Sequence, residues 1–453
     1  MLAQLKRKKI PQTTSSLKPN LGKKTIKEAT QFIQDIITDT EVWNPDEMAE
    51  NQRLLDATQS GDKDAIKKAK LLILELLSQY GIDVEGYTLE QAAEEIYAYN
   101  WGLDILEGYY WDPEVDEIRI NSPSQIFIQR KGKNEKLNVR LKDEEHVKKI
   151  LSRLFIHDRG VALTSSTPVV ESMRVDGTRI TATCPPATKN CTLVLRKHGT
   201  FEMTRENLIK AQTANEKILD LIEYLVAGRT NILISGGTGT GKTTLLRYLA
   251  GFLHQNLRIV TLETDREIRL GDTYPDRDIV EMEEHKDLGF TLNEAFRTIL
   301  RYSPDVIIVG EIRGKGEAVE AVKACVRGHN GSMATIHFGS PEEAIVGCGK
   351  MMLEEGLNLP LEIANLWVAD AFQVVIQMFA DTTRGIKKIT HVTEVCVKNN
   401  EIEFKHLAVW QQKGKDFFEG EWRFPNEISP QLKKRIEKYL PKYSRKDDLI
   451  CLT

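Results

Sequence analysis

The run ISGGTGTGKTTLL, Ile234 to Leu246, gathers four glycines, four threonines and one lysine behind the apolar stretch NILI. Gly236, four further residues, then Gly241-Lys242-Thr243 is the spacing of a phosphate-binding loop. Glycine lets successive backbone N–H groups turn inward around phosphate oxygens. Gly236, Gly237, Thr238, Gly239, Thr240 and Gly241 are therefore the expected cradle. Lys242 can reach the β- and γ-phosphates, and the Thr243 hydroxyl suits Mg²⁺. Thr244 continues into TTLLRYLAGFL, a helix whose positive dipole end adds to the site. The expected ligands are ATP and Mg²⁺.

Three more short apolar strands end on a polar group. RIVTL ends on Glu263, DVIIVG on Glu311 and SMATI on His337. In an open parallel sheet, ligands collect beyond the carboxyl ends of the strands, so all four tips are expected to converge on one nucleotide. Cleaving a γ-phosphate takes a metal, an oriented water and positive charge from outside. Glu311 is placed to hold a Mg²⁺-bound water or to orient the attacking one. It joins Thr243 as an expected metal ligand. Glu263 is the second candidate, with Asp265 and Glu267 close by. Either glutamate can be the base, and a helix cap is the plain alternative for Glu263 and Glu267. His329 and His337 flank GSMAT; a histidine at a strand tip can sense the γ-phosphate or bridge to a carboxylate.

These groups need a scaffold, and 453 residues suffice for two or three domains. Apolar residues make up 41% and charged ones 28%, an ordinary globular balance. A net charge of −4 gives no electrostatic case for nucleic acid as the main partner. The six cysteines (Cys184, Cys191, Cys325, Cys348, Cys396 and Cys451) are scattered and suit reduced thiols. The longest apolar run, IANLWVADAFQVVIQMF, is interrupted by Asn365, Asp370, Gln373 and Gln377, which argues against a membrane span. A soluble chain able to dock on a membrane is expected.

Along the chain, 1–24 reads as a disordered basic tail, with contact to anionic lipid as an alternative. Residues 25–108 read as a helical extension with a capping box at Thr88-Leu89-Glu90-Gln91. Residues 109–200 read as an α+β domain: EIRINSPSQIFIQRKGK is a hairpin, EEHVKKILSRLFIHDRG a helix, and Asp176-Gly177 a tight turn. A linker at 201–214 leads to an α/β nucleotide-binding domain with a C-terminal extension over 215–453.

In order and spacing, ISGGTGTGKTTLL, LETDREI, SPDVIIVGEIRG and RGHNGSMATIHFGSPEEA resemble the Walker A, Asp, Walker B and His boxes of the type II/type IV secretion ATPases. DPEVDEIRIN and RVDGTRITATCPP, followed by LVLRK, are similar to the N-terminal domain of the CpaF-type (Tad pilus) branch. The likeness covers roughly Trp101 to Val397. It implies an α/β fold: a RecA-like P-loop NTPase C-terminal domain with an α+β N-terminal domain and a helical N-terminal extension. It also implies a homohexamer with ATP held between the two domains. Turnover would drive pilin or another substrate through an inner-membrane platform protein, with the motor cytoplasmic and peripheral at the inner face of the membrane. Arginines that match those reaching the γ-phosphate are Arg179 in DGTR and Arg196 in LRK, with Arg174, Arg301 and Arg313 also matching. A guanidinium supplied on closure stabilises transition-state charge.

There are departures. Thr264 follows Glu263 where the family has Asp, and Asp265 comes one place later. GKGEA carries an extra residue, and Val326-Arg327-Gly328-His329 replaces Asn-Thr-Gly-His. No cysteine quartet marks a zinc module. The reading is a Mg²⁺-dependent ATPase of a pilus or secretion machine. Alternatives are a conjugation-type type IV secretion ATPase moving DNA or protein, an archaeal filament motor, a DNA translocase and a non-hydrolysing, ATP-gated scaffold.

Overall fold

In the computed structural model, residues 21–155, 163–197, 204–285, 288–314 and 316–440 are described. Most of the expected basic tail, the end of the expected helix at 156–160, the start of the linker at 201–203, Lys315 and Cys451 lie outside them. The chain divides into two compact units, Met1–Thr200 and Phe201–Thr453.

The first unit opens on helices whose starts are written in the sequence. α1 (Ile26–Ile37) begins at a Thr25–Glu28 capping box, α2 (Pro45–Gln59) at an Asn44–Glu47 box, and α3 (Lys63–Gln79) at the Asp62 cap. α4 (Leu89–Asn100) begins at the Thr88–Gln91 box. Their apolar faces, with Ile33, Ile73, Leu76 and Ile96 at the centre, close one core. The extension is not wholly helical. β1 (Gly22–Lys24) pairs parallel with β2 (Ile82–Val84). Residues 22–24, expected at the end of a tail, are therefore tied to the bundle by backbone hydrogen bonds.

α5 (Glu107–Trp111) leads into six antiparallel strands. They are β3 (Val115–Ser122), β4 (Gln125–Arg130), β5 (Lys133–Lys136), β6 (Val169–Met173), β7 (Arg179–Thr183) and β8 (Thr192–Arg196), in the order β5-β4-β3-β8-β7-β6. Alternation in EIRIN and QIFIQ puts Ile118, Ile120, Ile126 and Ile128 on one buried face, against Val147, Ile150 and Leu151 of α6 (Glu144–Phe155).

The second unit begins with α7 (Arg205–Lys210) and α8 (Glu216–Ala227). Its sheet holds nine strands in the order β11-β10-β12-β13-β9-β14-β15-β16-β17. β9 (Ile232–Gly236), β10 (Ile259–Glu263), β11 (Ile279–Glu283), β12 (Val306–Ile312), β13 (Met333–Ile336) and β14 (Val374–Asp381) run parallel. β9, β10, β12 and β13 are mostly apolar and buried at nearly every position because they are covered on both faces. Ile232, Ile234 and Ile308 join one core with Leu245 and Leu246 of α9 (Lys242–Ala250). Leu233, Ile307 and Val309 join the other, with Phe296 of α11 (Leu292–Ile299), Val322 of α12 (Glu317–Val326) and Ile345 of α13 (Pro341–Glu354). Each fully buried Ile or Leu contributes about 1.5–3 kcal/mol, so these alternating sets hold the sheet rigid under the strand tips. A short helix, α10 (Leu270–Thr273), lies between β10 and β11.

The run IANLWVADAFQVVIQMF changes structure midway, from α14 (Leu361–Ala371) to β14. No helix among the described residues is long and apolar enough to cross a membrane. β15 (Ile386–Lys398), β16 (Glu401–Gln412) and β17 (Gly420–Arg423) then extend the sheet antiparallel, and α15 (Pro430–Ile436) follows. The five described cysteines are free thiols, four of them buried.

Candidate nucleotide site

The site is built where β9 stops. Gly236 begins the loop, and a Cβ there would stand 2.6 Å from the Met378 carbonyl oxygen. Only glycine fits. Gly239 and Gly241 hold φ of 75° and 91°, the left-handed region. Thr240 is buried and donates to the Gly237 carbonyl at 2.9 Å, closing the loop on itself. Gly237 and Thr238 stay exposed, and Thr243 and Thr244 are half-buried in the first turn of α9. Gly241 is the N-cap of α9 and offers no side-chain cap. The first N–H groups of the helix therefore keep their capacity for an anion.

Lys242 is 6% exposed. Its Nζ donates to the carbonyls of Gly236 at 2.9 Å and Gly237 at 3.1 Å, and lies 3.2 Å from both ring nitrogens of His337. Carbonyls of its own loop thus occupy the ammonium where phosphate oxygens are better partners. Glycines with positive φ, an uncapped helix start and a buried cation fit a polyphosphate.

His337 follows β13, and its chain is fixed beyond the ring. Ser235 Oγ and Gln377 Nε2 both donate to the Phe338 carbonyl, at 3.2 and 3.0 Å. His337 Nε2 is paired with Glu311 Oε1. A proton on Nε2 satisfies that carboxylate and leaves Nδ1 to accept from Lys242. His337 thereby links the phosphate-loop cation to Glu311.

Glu311 sits in a bulge. Val309 pairs with Ala334 and Ile312 with Ile336, so Gly310 and Glu311 together oppose Thr335. Such a bulge re-aims a side chain, and Thr335 Oγ1 donates to the Gly310 carbonyl at 2.7 Å to hold it. Arg313 donates to Glu311 Oε2 from Nε at 2.9 Å and Nη2 at 2.7 Å. Burial pushes the Glu311 carboxyl up, but the hydrogen bonds and charge of His337 and Arg313 outweigh it and hold it at about 2. Glu311 is ionised at neutral pH. Arg313 also reaches Thr264 Oγ1 at 3.4 Å and Asp265 at 3.8 Å. Asp265, displaced one place from the family pattern, is thus a partner of Arg313.

Glu263 is different. It is 4% exposed, and Oε1 accepts the N–H groups of Glu267 and Ile268 at 3.0 Å each. Oε2 is buried without a partner. Burial pushes its pKa up to about 8, against the opposing pull of those two N–H groups. Glu263 therefore favours its protonated form at pH 7 and ties down the loop after β10; it caps no helix, since α10 has Arg269 as its N-cap and no side-chain cap. Arg247 of α9, which no motif marks, braces the same loop by donating to the Ile268 and Glu267 carbonyls at 2.8 and 2.9 Å.

Two candidates lie elsewhere in this unit. His329 precedes β13 by four residues, and its Nδ1 donates to the Pro304 carbonyl at 2.9 Å. β13 runs parallel to β9, so His329 stands at the amino edge of the sheet, opposite the phosphate loop. Its expected place at the nucleotide is corrected: sequence proximity to His337 hides the length of the intervening strand. Arg301, in the turn Leu300–Tyr302 before β12, lies at that same edge. In the other unit, Arg179 and Arg196 are direct cross-strand partners on β7 and β8. Arg174 donates to the Thr58 and Gln59 carbonyls at 3.3 and 3.1 Å and stacks on Tyr110, a structural role.

Among known proteins, the family described as Type II/IV secretion system protein matches residues 102–416. The chain is 27% identical over 342 residues to the type IV secretion system protein VirB11 of Brucella suis, a match covering 68% of this chain and 92% of that one. It is 28% identical over 317 residues to the type IV secretion system protein PtlH of Bordetella pertussis, covering 63% and 91%. Among solved structures it is similar to the pilus retraction motor PilT with bound ADP, at 17% identity and a TM-score of 0.44, covering 74% of this chain and 85% of that one. With the match running from the N-terminal unit through the phosphate loop and both glutamates, the chain belongs to the type II/IV secretion system protein family.

Proposed function

We propose that this chain hydrolyses ATP to power pilus assembly or protein secretion. One observation carries the reading most directly. A phosphate loop with its lysine turned onto its own carbonyls stands beside an ionised Glu311 at the carboxyl edge of a parallel sheet, in a member of the type II/IV secretion family.

The residues take distinct roles. Lys242 exchanges the Gly236 and Gly237 carbonyls for phosphate oxygens, while Gly236, Gly237, Thr238, Gly239, Thr240, Gly241, Thr243 and Thr244 offer backbone N–H groups around them. Thr243 and Glu311 would hold Mg²⁺, which when bound would neutralise charge on the phosphates. Glu311, already ionised, is the base that orients water. Glu263, neutral and committed to its loop, is a positioning residue. The opposite protonation of the two carboxyls supports Glu311 over Glu263 as the base. His337 reports the movement of Lys242 to Glu311, because it touches both. Arg179 and Arg196 supply the closing cations. The working form is a homohexamer at the cytoplasmic face of the inner membrane, docked on a platform protein. DPEVDEIRIN and RVDGTRITATCPP support the CpaF-type branch.

The test is Mg-ATP turnover by wild type and Lys242→Ala, each sized by gel filtration with and without nucleotide. Turnover by a species near six subunits, lost in the variant, is expected; near-normal turnover in Lys242→Ala would sink the site assignment. The names of VirB11 and PtlH favour a second reading, a type IV secretion ATPase. If the cargo is DNA, turnover should rise with added DNA and the rise should vanish with salt.

A further inference from the structure

β14 lies beside β9, with Met378 opposite Gly236. Its last residues, Phe379 to Asp381, continue past the point where β9 bends into the phosphate loop, and the chain returns as β15 with Lys387 opposite Ala380. The turn between them is pinned. Asp381 accepts from the Thr383 N–H at 2.9 Å and from Arg384 Nε at 2.7 Å, and Arg384 reaches on to Asp416 at 3.1 Å. This hairpin is therefore a fixed wall at one side of the loop.

The wall comes close to the loop at three glycines. Besides the Met378 carbonyl at Gly236, a Cβ on Gly239 would meet Thr382 at 3.8 Å. A Cβ on Gly241 would meet Lys387 Cδ at 3.6 Å and Nζ at 3.9 Å. Pleating explains the aim. Residues paired across an antiparallel ladder share a face, so Lys387 lies on the face of Ala380, and the small Ala380 leaves its stem room. The next residue, Lys388, points the other way and is packed 3.6 Å from the Trp410 ring centroid and 4.7 Å from that of Trp422. Of two consecutive lysines, one is buried in aromatic packing and the other is delivered to the phosphate loop. Its ammonium stands at Gly241, the uncapped start of α9, where an anion is best received.

We infer that Lys387 is a second phosphate-binding cation of this site, supplied within the same subunit by the β14–β15 hairpin, and that its ligand is the polyphosphate of a nucleoside di- or triphosphate. The inference rests on the nucleotide reading of the loop. A lysine ammonium on a phosphate oxygen is a charge-assisted hydrogen bond, so its loss should weaken binding about tenfold to a hundredfold.

The experiment is a titration of the full-length protein with fluorescent ADP at low and high salt, using wild type, Lys387→Ala, Lys387→Met, Lys387→Arg and Lys242→Ala, with unfolding midpoints for each. Expected is weaker ADP binding in both the Ala and Met variants, most marked at low salt, with Arg closest to wild type and midpoints unchanged. Lys387→Met keeps the aliphatic stem and removes only the charge, so wild-type affinity in that variant overturns the inference. Equal losses in Met, Ala and Arg accompanied by lowered midpoints would also overturn it, since the role would then be structural. Failure of Lys242→Ala to weaken binding would reject the nucleotide site itself, a result distinguishable from any outcome at Lys387.

Discussion

Glu263→Gln separates the two glutamates by pH. Glu263 is buried, and its pKa rises from 4.5 to about 8 because burial penalises the charged form. Below pH 4.5 folded and unfolded chains both hold the proton. Between 4.5 and 8 only the folded chain holds it, so stability falls as pH rises. Above 8 both have lost it and the slope ends. At about 1.4 kcal/mol per pH unit, the whole span amounts to about 5 kcal/mol. Glutamine keeps Oε1 for the Glu267 and Ile268 N–H groups and cannot ionise, so the variant lacks this slope. The assay is denaturant unfolding of nucleotide-free wild type and Glu263→Gln at fixed protein concentration from pH 5 to 8. The variant should gain on wild type by about 1 kcal/mol per pH unit, and should keep much of its ATP turnover at pH 7. Unfolding free energies that stay parallel across that range would show that Glu263 titrates normally and would refute the neutral-acid assignment. Turnover abolished at pH 7 would return Glu263 to the role of base.

Three further outcomes are expected. Arg313→Ala removes two hydrogen bonds and a positive charge from Glu311, so the Glu311 pKa should rise and the acid limb of the turnover–pH profile should move upward; an unmoved limb would argue that another group sets it. Gly310→Ala would place a Cβ 2.7 Å from Glu263 Cγ, and should cost about 1–3 kcal/mol in unfolding measurements by overpacking the bulge. Arg179→Ala should cut ATP hydrolysis far more than ATP binding, since its role is proposed for the closed state; equal losses in both would assign it to ground-state binding or to the fold.

Much of the second unit was legible because parallel strands covered on both faces are mostly apolar, and each ends in a chemical group. NILI, RIVTL, DVIIVG and SMATI carry that signal, as does the capping box at Thr88 and Gln91. The antiparallel strands β15 to β17 carry a weaker one, since Lys, Glu, His and Thr alternate through them on a half-covered surface. The same limit hid Lys387, whose nearness to Gly241 comes from a register set over a hundred residues away. His329 was misplaced by closeness in sequence to His337: four strand residues at about 3.3 Å each carry the chain across the sheet. Glu263 and Glu311 look alike at their strand tips. Only burial and partners, an orphaned oxygen for one and Arg313 with His337 for the other, set them apart.

We propose that Glu311, ionised and aimed by its bulge, orients the attacking water at this phosphate loop. The most direct test is steady-state Mg-ATP turnover and ATP binding by wild type and Glu311→Gln, measured side by side. Turnover is expected to fall about a hundredfold or more while ATP is still bound. Turnover in Glu311→Gln within a few-fold of wild type would contradict it.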